Sequence, residues 1–152
     1  MSQSAPSARN IRQSSRPAPL AADLRVAVMR LSRRLRGENI SGLPGGQYSV
    51  LAALSHGGPS TPGALAAHEN VQPPSMTRTV AALEAAGLVE RTISQTDRRQ
   101  CVISLTQAGR DVVAHTRQRR DAWLATQLAA LSANDRAVIT QATVILGEMI
   151  RH

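Results

Sequence analysis

The residues best suited to recognising another molecule lie on a helix-forming stretch, 72–86. Within it, Met76, Val80 and Leu83 recur at spacings of four and three and form one apolar stripe. At about 100° per residue, Arg78 lies roughly 160° from the centre of that stripe and therefore faces outward. Its guanidinium group is a planar fork of N–H donors that fits phosphate oxygens and the edge of guanine. Small or polar side chains accompany it near the start of the helix: Pro74, Ser75 and Thr77.

A second cluster of charges, Asp97, Arg98 and Arg99, falls between two β-like segments, 88–93 and 101–105. Residues of the second segment alternate as a strand requires, so the connection is predicted to be the tip of a hairpin. Arginines at such a tip can enter the minor groove of DNA, where the negative potential attracts a guanidinium group. Asp97 repels phosphate, and its best use is to hold one arginine in a fixed rotamer. The alternative is that all three residues form an ordinary hydrophilic turn.

Apolar spacing and capping signals predict the elements that must position both clusters. Thr61 followed by Pro62 is typical of a helix start, and Gly87 of a helix end. Two short helices joined by a tight turn and followed by a strand hairpin form a winged helix-turn-helix. We therefore expect a mainly α fold with a small antiparallel β wing and six helices. Their predicted ranges are 20–36, 46–55, 62–68, 72–86, 107–130 and 132–151.

Charge gives this interpretation only weak support. The net charge is +8, and every basic residue other than histidine is an arginine. Segment 39–105, which holds both clusters, nevertheless carries four arginines against four acidic residues. The positions of the arginines must therefore carry the argument for nucleic acid. Residues 1–19 are rich in Ser, Pro, Ala and Arg, and we expect them to form a mobile basic tail.

The long terminal helices predict a dimer. Helix 107–130 would be roughly 35 Å long, which exceeds what one small winged domain can bury. Together with helices 20–36 and 132–151 it supplies excess apolar surface, which a two-fold dimer would cover. Two reading helices in such a dimer would meet half-sites about 34–36 Å apart, so we expect a palindromic operator in double-stranded DNA.

Three motifs resemble the signature of MarR-type transcriptional regulators: Gly87-Leu88-Val89-Glu90-Arg91, Asp97-Arg98-Arg99 and Leu105-Thr106-Gln107-Ala108-Gly109. The resemblance covers roughly residues 20–152 and is most specific over 61–109. It implies an obligate homodimer, with dimerisation helices at 20–36 and 107–152 and a DNA-binding domain at 46–106.

The same resemblance assigns roles to individual residues. It implies a recognition helix at 72–86 and a wing arginine in the minor groove, which by position is Arg99, oriented by Asp97. The pair Pro73-Pro74 departs from the family pattern and bears on base preference rather than on the fold.

Other chemistry-bearing residues fit no catalytic or metal site. The four histidines do not pair at ligand spacing, Cys101 is expected to be a core residue of its strand, and we expect no metal and no cofactor. A small-molecule effector could bind between the dimer lobe and the winged lobe, although these side chains also suit packing or a solvated face. The candidate lining residues are Tyr48, His115, Arg119 and Trp123.

The leading hypothesis is a cytoplasmic homodimeric repressor that a small-molecule or stress signal releases from DNA. The alternative is a winged-helix module that binds proteins and never touches DNA. An enzyme is disfavoured because the sequence shows no nucleophile–base pairing, metal-ligand spacing or glycine-rich phosphate loop. A membrane protein is disfavoured because no apolar run approaches about 18 residues.

Overall fold

The computed structural model describes residues 17–38, 42–93 and 100–151. Six helices and a two-stranded antiparallel sheet make up this part of the chain, which confirms the predicted fold class. The chain divides into two units, 1–39 and 40–152. The elements in chain order are α1 (Pro17–Arg36), α2 (Gly45–Gly57), α3 (Pro62–His68), α4 (Pro73–Ala85), β1 (Val89–Ile93), β2 (Cys101–Leu105), α5 (Gln107–Ala129) and α6 (Ala133–Met149).

Helix α1, the described part of the first unit, begins at Pro17 rather than at the predicted Leu20. Residues 17–19, which were assigned to the mobile tail, are therefore helical. The physical reason is that the first helical turn has no acceptors for its N–H groups, so the prolines there lose no hydrogen bond. Leu20, Val28 and Leu31 recur along α1 at spacings of eight and three, and these apolar side chains are exposed.

The core of the second unit lies among α2, α3, α4, the hairpin and the first turns of α5. Helix α4 buries the predicted stripe of Met76, Val80 and Leu83, and these three side chains are at most 2% exposed. Helix α2 buries Tyr48, Val50, Leu51 and Leu54. No phenylalanine is available, so the core cluster is built from aliphatic side chains and Met76, mainly leucine and valine.

Two helices of the second unit end in the same hydrogen-bonded turn. After α3, Asn70 has a left-handed backbone (φ 52°), and the N–H of Val71 donates to the carbonyl of Ala66 at 3.0 Å. After α4, Gly87 has φ 70°, and the N–H of Leu88 donates to the carbonyl of Leu83 at 2.9 Å. This turn satisfies carbonyls that a helix end leaves unpaired, and it reverses the chain within two residues. The predicted tight turn and the predicted stop at Gly87 are both confirmed.

The hairpin pairs Val89 with Leu105 at its base and Ile93 with Cys101 at the last described pair. One element was missed from the sequence: Ser60 pairs with Ile103 through two backbone hydrogen bonds of 3.0 and 2.8 Å. A single residue has no periodicity to detect, which is why no pattern predicted it. The bridge fixes the loop before α3 to the wing.

Helices α5 and α6 both begin after a hydroxyl residue that caps them, Thr106 and Ser132. The Thr106 hydroxyl accepts from the N–H of Gly109 at 3.1 Å, and the Ser132 hydroxyl accepts from the N–H of Asp135 at 3.1 Å. The Asp135 carboxylate accepts a hydrogen bond from the Ser132 hydroxyl at 2.7 Å, so the two side chains of this cap are bonded to each other. None of the helices in the described ranges combines the length and the apolar composition that crossing a bilayer would require.

Candidate nucleic-acid interface

Helix α4 presents one outward line of side chains opposite its buried stripe. Pro74, Arg78, Ala81 and Ala85 follow one another at spacings of four, three and four, and all are exposed. Within the described part of the chain, the Arg78 guanidinium has neither a hydrogen-bond partner nor an ion-pair partner. An unpaired guanidinium among short side chains can approach a flat or grooved polyanion without obstruction from its neighbours.

The hydroxyl groups of α4 are mostly committed to its own backbone. Thr77 donates to the carbonyl of Pro73 at 3.0 Å, and Thr79 donates to the carbonyl of Ser75 at 3.1 Å. Thr77, a predicted contact residue, therefore offers its methyl group and its hydroxyl lone pairs rather than a free donor. Ser75 is exposed beside the outward line, so its hydroxyl is accessible from the same side.

The end of α4, the start of β1 and the start of α5 meet at one joint. The Thr106 hydroxyl donates to the carbonyl of Gly87 at 2.6 Å, and the Thr106 N–H donates to the carbonyl of Leu88 at 3.1 Å. The Cα of Gly109 packs directly on the same Leu88 carbonyl. These contacts give a physical reason for the motifs Gly-Leu-Val and Leu-Thr-x-x-Gly. Gly87 and Leu88 supply the carbonyl acceptors, Thr106 supplies the donors, and Gly109 allows the close approach of the two backbones.

An ion pair that sequence reasoning missed links α4 to the wing. Arg91 Nε lies 2.7 Å from Glu84 Oε2. The two residues are on different elements, separated by the turn at Gly87, so neither helical nor strand spacing signals the pair. Both side chains are about a third or more exposed, and such pairs contribute at most about 1 kcal/mol. The pair therefore connects the end of α4 to β1 and adds little to the stability of the fold.

The predicted wing-tip residues Asp97, Arg98 and Arg99 lie outside the described residues. The base of the hairpin that carries them is described. There, Ser104 Oγ donates to Glu90 Oε1 at 3.3 Å across the two strands. Cys101, at the distal end of the described ladder, is half-buried and packs against the core, in agreement with the structural role expected for it.

The predicted effector-pocket residues occupy two elements of the second unit. His115, Arg119 and Trp123 follow one another at spacings of four along α5, while the Tyr48 side chain of α2 is buried. The residue over the Tyr48 ring is Arg120, whose guanidinium carbon lies 4.6 Å from the ring centre. The prediction named the preceding residue, Arg119, as a pocket residue and did not foresee this cation–π contact. The effector pocket itself stays a prediction.

A separate groove of about 510 Å³ opens between α2 and α3. At its rim, Ser49 Oγ donates to Glu69 Oε2 at 2.5 Å, and His68 Nδ1 lies 3.1 Å from Glu69 Oε1. The bond between Ser49 and Glu69 ties α2 to the end of α3. Across the described ranges, no group of three or more His, Cys, Asp or Glu side chains is arranged to hold a metal ion.

Comparison with known proteins identifies the family. The family model described as MarR family matches residues 41–100. A helix-turn-helix-type transcriptional regulator of Mycobacterium tuberculosis is 43% identical over 130 residues, which cover 85% of this chain and 91% of that protein.

Two solved structures share the fold. A proposed transcriptional regulator of Pseudomonas aeruginosa is 30% identical with a TM-score of 0.80, and the match covers 91% of this chain and 99% of that one. A mutant of S. aureus MepR bound to an oligodeoxyribonucleotide is 18% identical with a TM-score of 0.64, over 87% of this chain and 96% of that one, and shows likeness of fold alone. From the family match and the 43% identical relative, the chain belongs to the MarR family of helix-turn-helix transcriptional regulators.

Proposed function

We propose that this regulator is a homodimer that binds a palindromic operator in double-stranded DNA and represses transcription until a small-molecule or stress signal releases it. In this proposal α4 enters the major groove. Arg78 binds a guanine edge or, failing that, a phosphate. Arg99, held by Asp97, enters the adjacent minor groove. The single observation that carries the proposal is the exposed Arg78 without a partner in the described chain, on a helix whose opposite face is fully buried.

The dimensions and surface of α4 suit a DNA groove. Its 13 residues span about 20 Å, and the major groove admits a helix of this kind. The side chains at positions 81 and 85 of the outward line are alanines and protrude little, so the helix axis can come close to the base edges. The buried stripe and the turns at Asn70 and Gly87 hold the helix rigidly, as a reader of base edges requires.

The exposed apolar side of α6 supports the homodimer. Val138, Ile145 and Met149 recur at spacings of seven and four, and each is between 57% and 60% exposed in the single chain. A row of large apolar side chains on one side of a helix marks a surface that another chain covers. In a two-fold dimer this surface would be buried, and the two copies of α4 would be held about 34–36 Å apart.

Helix α5 is the element through which a signal could act on DNA binding. Its first turn packs on the joint at Leu88, and Arg120 on its middle turns contacts Tyr48 of α2. A ligand among Tyr48, His115, Arg119 and Trp123 would change the angle between α5 and the winged domain. The separation of the two reading helices would then no longer match the half-sites, and the repressor would leave its operator.

Selection of bound fragments from genomic DNA, followed by footprinting of the enriched sites, tests this function. We expect protected sequences that are palindromic, with half-site centres one helical turn apart, because two copies of α4 must bind together. Repeating the selection with a panel of small molecules would identify the effector by loss of enrichment. Enrichment of no sequence above background would favour the protein-binding module, and protection of one asymmetric half-site by a monomer would contradict the dimer.

A further inference from the structure

The first turn of α4 lacks the N–H groups with which a helix usually binds phosphate. Pro73 and Pro74 have no N–H, and the N–H of Ser75 donates to the carbonyl of Gln72 at 2.9 Å. The N–H of Met76 donates to the same carbonyl at 3.2 Å. An ordinary helix start presents several unpaired N–H groups to an anion. This one presents two proline rings in their place, so its contact with DNA must have a different chemistry.

Of these two prolines, Pro74 is the one on the outward line of α4. It lies one turn before Arg78, whereas Pro73, which is also exposed, is turned about 100° away from that line. The Thr77 hydroxyl next to it donates to the backbone of the same turn. The surface N-terminal to Arg78 is therefore apolar on its outward line, with Ser75 as the nearest polar side chain.

We propose that Pro74 contacts the C5-methyl group of a thymine and thereby determines part of the operator sequence. The thymine methyl is the apolar feature of the major groove, and an apolar side chain without a hydrogen-bond donor is suited to it. The proline ring is rigid, so ordering it at the interface costs little conformational entropy. This inference rests on the proposed function, since it concerns the same helix in the same groove.

The geometry of the helix also limits where the thymine lies. Pro74 and Arg78 are four residues apart, which is about 6 Å along the helix axis. Successive bases are about 3.4 Å apart, so for any inclination of α4 in the groove the thymine lies within about two base-pair steps of the guanine that Arg78 contacts. Each half-site of the operator therefore contains a guanine and a thymine within this distance.

Replacing thymine with deoxyuridine tests the contact, because it removes the methyl group and leaves base pairing unchanged. Each thymine of an enriched operator is replaced in turn, in both half-sites, and the Kd is measured by fluorescence anisotropy. At one thymine, within about two steps of the guanine, we expect binding by the wild-type protein to weaken about fourfold per half-site, the value for losing one buried methyl-sized group. The variant Pro74→Ser should bind the thymine and deoxyuridine operators equally.

The control variant is Pro62→Ser, which changes a proline in the first turn of α3 and leaves the outward line of α4 intact. It should keep the wild-type sensitivity to deoxyuridine, and thermal melting should show that both variants are folded. The inference is overturned if no thymine replacement weakens wild-type binding, or if Pro74→Ser remains as sensitive as the wild type. Those results leave the proposed function intact, because the fragment is still bound. Absence of any sequence-specific binding would overturn the proposed function and this inference with it.

Discussion

The Cα of Gly109 faces the carbonyl oxygen of Leu88 so closely that a Cβ atom at position 109 would lie 2.1 Å from that oxygen. Leu88 follows the end of α4 and precedes β1, whereas Gly109 is in the first turn of α5. The contact therefore joins the proposed reading helix and the wing to α5, a helix of the proposed dimer lobe. Only glycine allows the two backbones to approach this closely.

We expect Gly109→Ala to destabilise the fold. The added methyl group would meet backbone rather than a flexible side chain, so the α5 backbone or the Leu88 turn must move. Overpacking of this kind costs about 1–3 kcal/mol or more, measured as the free energy of unfolding in urea at fixed protein concentration. The control Gly63→Ala, at a helical glycine with open space around it, should be neutral or stabilising by up to about 1 kcal/mol. Equal stability of the two variants would show that the joint is loosely packed.

The hydroxyl of Thr106 should stabilise the same joint through two hydrogen bonds. Thr106→Val removes both the hydrogen bond to the Gly87 carbonyl and the cap on the N–H of Gly109. We expect a loss of about 1–2 kcal/mol in the free energy of unfolding, typical for a helix cap. Thr106→Ser keeps the hydroxyl and should retain most of the stability. A serine variant as unstable as the valine variant would point to the methyl group instead.

The exposed apolar side of α6 should be the part of the chain most sensitive to an added charge. In Ile145→Glu, a carboxylate would be placed in the proposed dimer interface, where it has no partner, and we expect monomers in sedimentation equilibrium at micromolar concentration. Thr140→Glu places the same charge on the opposite side of α6 and should remain dimeric. If both variants behave like the wild type, the dimer is formed by another surface.

Most of the fold was predictable because it depends on local spacing. The stripe of Met76, Val80 and Leu83, the cap at Thr106 and the stop at Gly87 each leave a signal within a few residues of sequence. The outward position of Arg78 followed from the same periodicity.

The relationships that the sequence did not show connect different elements. The ion pair of Glu84 with Arg91 spans a helix end and a strand, and Arg120 was missed as the residue over the Tyr48 ring. Such contacts depend on how elements pack, and side-chain type and spacing alone do not reveal them. The start of α1 at Pro17 was missed for another reason, because prolines are typical both of flexible segments and of first helical turns.

The central claim, that α4 reads DNA through Arg78, is tested most directly by comparing Arg78→Ala with Arg117→Ala, which removes an exposed arginine from α5. The measurement is the ratio of Kd values for the selected operator and for operators with each base pair changed in turn. We predict that Arg78→Ala loses discrimination at one guanine, by about 1–3 kcal/mol per half-site, while Arg117→Ala discriminates like the wild type. An Arg78→Ala protein that binds and discriminates like the wild type would contradict the account.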